Sequence, residues 1–245
     1  MKVKLIAATE VSPYALKELG YDPESFTKED YDEYPFGDYD ADELAEFAGR
    51  NCYRSFNRPN PATASNEDYL AHILEVGHES VLEHASATFY IEASRSVLAE
   101  LERHRHLSFS VVSQRYVDPT ALGLHIPPAV NGLSGSDYDY AMGQFLDAAT
   151  ATEESYKNLV EVFTKAGKGR KQSREAARAV LPNMTSSPMV VTGNHRAWRY
   201  VIKARWHEAA DAEIRELAGM LLEQLRELAP NTYQDIPNTP YSYGG

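Results

Sequence analysis

The sequence predicts an α+β fold: one domain in which a mixed or antiparallel sheet is flanked by long helices. Three observations carry that reading. The chain has 245 residues, 43% of them hydrophobic and 24% charged, which suffices for one sizeable core without staples. Strand-like and helix-like patterns are mixed along it, without the strict alternation that builds a parallel sheet. The single cysteine excludes a disulfide framework and any multi-thiolate metal or iron–sulfur site within one chain. No apolar run reaches bilayer length. A reduced, cytoplasmic protein with no membrane partner is the expectation.

The elements follow in order. Residues 3–9 read as an edge strand rather than a signal peptide, because the apolar start turns polar at Thr9 and Glu10. Residues 21–43 hold ten acids and one base, Lys28, and so carry −9 of the net −12. This acidic, Tyr-rich stretch, at about 20–43, reads as a surface insertion. Residues 42–53 are helical in pattern, with Leu44, Phe47, Ala48 and Cys52 on one stripe and Cys52 a small buried hydrophobe. Asn66 is placed to cap a second helix through Tyr69, Leu70, Ile73 and Leu74 to Gly77. Residues 85–91 read as a strand, and Ser94 as the cap of a helix through Val97, Leu98 and Leu101 to His104. Ser136 or Asp137 opens a long helix through Phe145, Leu159 and Phe163, which the Gly-Lys-Gly at 167–169 breaks. A further helix runs to Leu181 and Pro182, residues 189–192 form a short strand, and residues 194–205 are helical. A last amphipathic helix reaches Leu228, and Pro230 stops it.

The acidic balance argues against general nucleic-acid binding. There is no G-x-G-x-x-G, no G-x-x-x-x-G-K-[ST] and no G-x-S-x-G, so a Rossmann turn, a P-loop and a hydrolase elbow lose support. Cys52 has no evident base beside it, which speaks against a thiolate nucleophile. The densest chemistry runs from Arg103 to Tyr116: Arg103, Arg105, Arg115, His104 and His106, interleaved with Ser108, Ser110, Ser113 and Gln114. Guanidinium forks suit phosphate and carboxylate. A cationic helix C-terminus on a solvated face is the plainer alternative, and the serines and glutamine tilt the reading toward an anion site. Lys171, Arg174 and Arg178, at spacings of three and four, share one helix face, with a solvated face as the alternative. Asn194, Arg196, Arg199 and Arg205 form a third set; Asn194 and Arg205 sit on one helix face about 16 Å apart at 1.5 Å per residue. His72, His78 and His84 recur every six residues, which is not a helical-face spacing, and His207-Glu208 lacks the second histidine of H-E-x-x-H. No metal site is expected.

Arg103-His104-Arg105, seven residues, then Ser113 resembles the RHR-x7-S signature of the flavin-dependent thymidylate synthases. Gly77 to His84 resembles that family's upstream segment. Arg174 through Arg178 to Leu181-Pro182 resembles its Arg-x-x-Leu-Pro stretch, and Thr192 to Arg199, followed by Arg205 and Glu213-Ile214-Arg215, its C-terminal block. The likeness covers roughly residues 44–228, in the right order. The resemblance implies a homotetramer with active sites shared between subunits and FAD held without a Rossmann fold. It implies conversion of dUMP to dTMP, with methylenetetrahydrofolate giving the carbon, NADPH reducing the flavin, tetrahydrofolate leaving and no cysteine nucleophile.

Residue by residue, the resemblance implies that Ser80, Arg103, His104, Arg105, Asn194, His195 and Arg196 contact FAD. Glu100, Arg103, Ser113, Gln114, Arg115 and Arg178 would hold dUMP, with arginines on its phosphate. Arg205 would sit at the uracil edge and stabilise charge as the ring is activated. His78 and Tyr116 would wall the folate pocket. Ser113 has no base beside it in sequence and is assigned to substrate binding. Three departures stand out. Tyr200 replaces a His or Asn at a flavin-contacting position, Val111 replaces a polar residue, and Ala209 stands where a His is usual, with His207 two residues earlier. A metal-dependent hydrolase and a nucleotide-binding regulator without turnover are the competing readings.

Overall fold

The structure is a computed structural model and describes residues 1–22, 41–57 and 60–243. Its centre is a four-stranded sheet of order β1-β2-β4-β3. The strands are β1 (Lys2–Ala8), β2 (Ser86–Ser94), β3 (Ser108–Val111) and β4 (Ser186–Asn194), and every pairing is antiparallel. The helices are α1 (Pro13–Glu18), α2 (Ala41–Tyr53), α3 (Asn66–Glu75), α4 (Arg95–Leu101), α5 (Gly135–Lys165), α6 (Arg170–Ala177), α7 (His195–Arg205) and α8 (Ala212–Leu228). This is the expected α+β arrangement of helices around an antiparallel sheet.

The sheet is held by its alternation. On β2, Ala87, Phe89, Ile91 and Ala93 face inward, and on β4 Met189 and Val191 do; all are at most 1% exposed. Phe89 pairs with Val191 and Ile91 with Met189. Phe89 also meets Trp198 of α7 edge-on, 5.2 Å between centroids, and Trp198 donates its indole N–H to the Ala87 carbonyl at 3.0 Å. The buried stripe of α8, Ile214, Leu217, Ala218, Leu221, Leu222 and Leu225, closes the same core. Truncating a side chain such as Phe89 to Ala there costs about 3–5 kcal/mol.

Both central strands run directly into helices, and the caps are visible in the sequence. Ser94 ends β2 and caps α4, its Oγ accepting from the Val97 N–H at 3.2 Å. Glu213 reinforces that cap by accepting from the Ser94 N–H at 3.0 Å and its hydroxyl at 2.7 Å. Asn194 ends β4 and caps α7, accepting from the Ala197 N–H at 2.8 Å. A Cβ on Gly193 would overlap Leu107 Cδ2 and press on the Trp198 indole, so a larger residue there would force the buried Leu107 side chain to move.

Several expectations are corrected. The helix after Ser94 ends at Leu101, three residues short of His104. The strand expected at 189–192 spans nine residues. Ser65, not Asn66, caps α3, accepting from the Asp68 N–H at 3.1 Å, while the Asn66 amide donates to the Asp42 carbonyl and Glu46. Cys52 is exposed rather than buried. Helix α2 buries polar residues as well: Asp42, Glu43, Glu46 and Arg50 lie inside with Ala45 and Gly49, while Leu44 and Phe47 of the expected stripe pack partly buried against the core. Asp42 takes three hydrogen bonds from Asn231 and Thr232, and Glu46 pairs with Arg50 at 2.5 Å. The acidic surface stretch expected at 20–43 lies mostly outside the described residues, and at its flanks Tyr21, Asp42 and Glu43 are buried.

Helix α5 stands apart. Its 31 residues, about 46 Å long at 1.5 Å per residue, bury one side chain, Tyr156. Tyr140, Leu146 and Val162 on it are 52–72% exposed.

Candidate functional site

The site forms where two strand–helix junctions meet. Between α4 and β3 the chain makes a tight turn, with the His104 N–H on the Leu101 carbonyl and the Leu107 N–H on the His104 carbonyl. Leu107 is buried and anchors that turn under Gly193, so Arg103, Arg105 and His106 project outward. Across from it, α7 begins at Asn194. Between them lies a cavity of about 580 Å³ lined by Glu79, Glu83, Arg103, His104, Arg105, His106, Asn194, Arg196, Ala197 and Tyr200. That volume lies in the range of small-molecule sites.

The lining is strongly polar and carries both signs. Arg196 is paired with Glu83, whereas no ion pair engages Arg103 or Arg105 among the described residues. The N-terminus of α7 adds its partial positive charge to the same wall. Arg205, the last residue of α7, is gripped from the α4 side. Its Nη1 donates to Glu100 Oε2 at 2.9 Å and its Nε to His104 Nε2 at 3.0 Å. Burial first, and then the neighbouring Arg205 charge, push the His104 imidazole down to about 4, so it is neutral near pH 7. Tyr200 meets the His104 ring edge-on at 5.6 Å and is 61% exposed into the cavity.

The structure therefore gathers Arg103, His104, Arg105, Asn194, Arg196 and Tyr200 in one cavity, with Glu100 and Arg205 beside it. Ser80 and His78 are exposed on the neighbouring helical turn and do not line it. The His195 side chain points elsewhere: it is 1% exposed, bonds to the Tyr233 hydroxyl at 3.0 Å, and burial pushes it down to about 4. Arg199, grouped with this basic set, is a core residue, fully buried and forked onto Asp235 at 2.7 and 2.8 Å.

Ser113, Gln114, Arg115 and Arg178 lie elsewhere. Strand β3 separates them from Arg103–Arg105, and Ser108 to Val112 alone spans about 13 Å at strand rise. At its far end they join a second cluster. There Arg115 pairs with Glu175 at 3.6 Å. Arg174 donates to the Tyr116 carbonyl at 2.6 Å and pairs with Asp118 at 3.6 Å. Lys171 lies 5.2 Å over the Tyr116 ring, and its hydrogen bond and charge lower the phenol's pKa. Gln114 is 5% exposed, and its Nε2 has no hydrogen-bond partner among the described residues.

His106 and Ala197 also line the cavity without having been assigned a site role, and Glu79 and Glu83 were missed as its walls. The sequence signal was present, since both lie in the Gly77–His84 segment already singled out for His78 and Ser80. Among the described residues no group of three or more His, Cys, Asp or Glu is placed to hold a metal ion, and no helix is long and apolar enough to cross a membrane.

An α+β protein whose cavity gathers three arginines at a helix N-terminus has the chemistry of an anion-binding site. A family model described as thymidylate synthase complementing protein matches residues 37–231, and the chain belongs to that family. A protein of Mycobacterium phage L5 named probable flavin-dependent thymidylate synthase is 70% identical over 244 residues, 99% of this chain and 100% of the relative. One of Mycobacterium phage D29 with the same name is 69% identical over the whole of both chains. The flavin-dependent thymidylate synthase of Mycobacteroides abscessus is 49% identical over 201 residues, 79% of this chain and 78% of that one.

Proposed function

We propose that this chain is a flavin-dependent thymidylate synthase. It converts dUMP to dTMP, takes the carbon from methylenetetrahydrofolate, uses NADPH-reduced FAD as reductant and releases tetrahydrofolate. The observation that carries the reading is the convergence of Arg103, Arg105, Arg196 and the α7 N-terminus on one cavity, with Arg205 oriented at its edge.

That donor set fits a flavin dinucleotide. Three guanidiniums and a helix N-terminus suit a pyrophosphate, and Tyr200 offers its exposed ring to an aromatic system. When bound, FAD supplies the reducing equivalents. The chain's own residues do the rest. Arg205 stabilises negative charge developing on the pyrimidine. Glu100 keeps that guanidinium in place, while Ser113, Gln114, Arg115 and Arg178 hold the nucleotide, with its phosphate on the arginines. His78 and Tyr116 wall the folate. Cys52 is exposed on α2 and lines no part of the cavity, which agrees with a reaction that needs no thiolate.

A homotetramer with shared sites accounts for two features. The nucleotide-binding set and the cavity lie at opposite ends of β3, so one chain's second cluster can complete another chain's cavity. Helix α5 buries one of its 31 side chains and leaves Tyr140, Leu146 and Val162 exposed, and a second copy would cover part of that length.

The test is an anaerobic absorption spectrum of the purified protein before and after NADPH and dUMP. Flavin bands that bleach, and bleach faster with dUMP, are expected. A protein that takes up no FAD would overturn the synthase and leave a nucleotide-binding regulator.

A further inference from the structure

Arg205 is the last residue of α7, and its C-cap, Trp206, already leaves the helical conformation. The helix alone therefore does little to aim its side chain. Glu100 fixes the tip of the guanidinium through its carboxylate at 2.9 Å and its carbonyl at 3.4 Å. Among the described residues the root is fixed only by His104, through Nε–H to Nε2 at 3.0 Å. A guanidinium has no acceptor, so this contact assigns the tautomer: Nε2 carries the lone pair and Nδ1 the proton. The imidazole is itself held. Its residue is 7% exposed, its N–H and C=O are both bonded within the turn, and Tyr200 lies against the ring.

We propose that His104 is a positioning residue for Arg205: its Nε2 accepts the Arg205 Nε–H and so sets the angle at which the guanidinium meets the reacting pyrimidine. The inference rests on the synthase reading. It separates His104 from Arg103 and Arg105, its neighbours in the same motif, whose guanidiniums face the cavity.

Two holoenzyme variants test it. In His104→Gln the side-chain oxygen can reach the place of Nε2, whereas His104→Phe keeps a ring against Tyr200 and offers no acceptor. For His104→Phe, kcat for dTMP formation is expected to fall about tenfold or more, the size of one lost hydrogen bond to a charged group. Flavin content per chain and the KM for methylenetetrahydrofolate should stay unchanged. His104→Gln should recover most of the loss, and His104→Phe should add little to Arg205→Ala. Equal losses in both variants accompanied by loss of flavin would overturn the proposal and make the ring a cofactor contact. A second readout needs no turnover. In protein labelled with 15N-histidine, the resonances absent from His104→Gln should report an unprotonated Nε2, and a protonated Nε2 would rule out the contact. Absence of dTMP formation by the unmodified protein would instead remove the synthase reading, and with it the reason to aim Arg205, while the tautomer would still report on the contact alone.

Discussion

Asp235→Ala should destabilise the chain more than Arg199→Met does, although both remove the same ion pair. Arg199 is 0% exposed and Asp235 35% by side chain, so the two partners are left in different states when the other is removed. Without Asp235, the buried guanidinium keeps the Thr232 carbonyl and Glu79 at 3.6 Å but loses both strands of its fork. Stranding a buried charge costs about 3–5 kcal/mol, and the remaining partners place this case at the lower end, about 3 kcal/mol. Without Arg199, Asp235 still has Lys203 at 3.4 Å and access to water, and a methionine fills the space with a flexible apolar chain. About 1 kcal/mol is expected for that variant. Urea unfolding at one fixed protein concentration reads both values, since association would shift the midpoint. Arg199→Met costing as much as Asp235→Ala would refute the reasoning, because the asymmetry follows only from which partner is buried.

Acid should destabilise the fold in two windows. Folding holds His195 at about 4 against an ordinary 6.5, through burial, so the unfolded chain gains a proton first and stability falls as pH drops from 6.5 to 4, by about 3 kcal/mol in full. His195→Phe should remove its share of that decline in pH-dependent unfolding and leave the share of His104, whose imidazole is also held at about 4. Burial opposes ionisation of Asp235, but Arg199 and Lys203 outweigh it and hold the carboxyl below 3.8, so its contribution is present above that pH and is lost below it. Arg205→Ala should reduce dTMP formation about 100-fold or more, as for loss of a charge-stabilising donor, with flavin retained. Arg103→Ala should weaken both FAD and dUMP in equilibrium titrations. Cys52→Ser should leave turnover within about twofold; a larger loss in steady-state assays would implicate the thiol.

Much of the scaffold was legible because its signals are local. Ser94 and Asn194 each end an alternating apolar strand and open an apolar-periodic helix; the first junction reads as strand, cap and helix within a dozen residues, the second only as a shorter strand at 189–192 and a helix from 194. Strand β3 was not, because its four residues sit inside the basic cluster, where serines beside arginines read as binding groups. Ser65 and Asn66 are both good caps; only the distant Asp42 and Glu46, which claim the Asn66 amide, decide between them. The same holds for Arg199, whose burial depends on Asp235 36 residues away, and for the polar inner face of α2, whose partners lie near residue 231. Within the site, the motif found the cavity arginines. It could not show that Ser113 to Arg115 stand at the opposite end of a strand, since a motif gives spacing but not the path between its ends.

That path makes the signature a ruler. The seven residues from His106 to Val112 comprise the end of a turn, all of β3 and one further ladder bond to Pro188. Inserting one residue would lengthen the path by about 3.3 Å and exchange the faces of everything beyond it. Inserting two would restore the faces and misplace the second cluster by about 6–7 Å. The count of residues between Arg105 and Ser113 therefore constrains the chain more tightly than their identities do. Side chains on the solvent face of β3 are free to change, but its length sets the distance between the cavity and the second cluster.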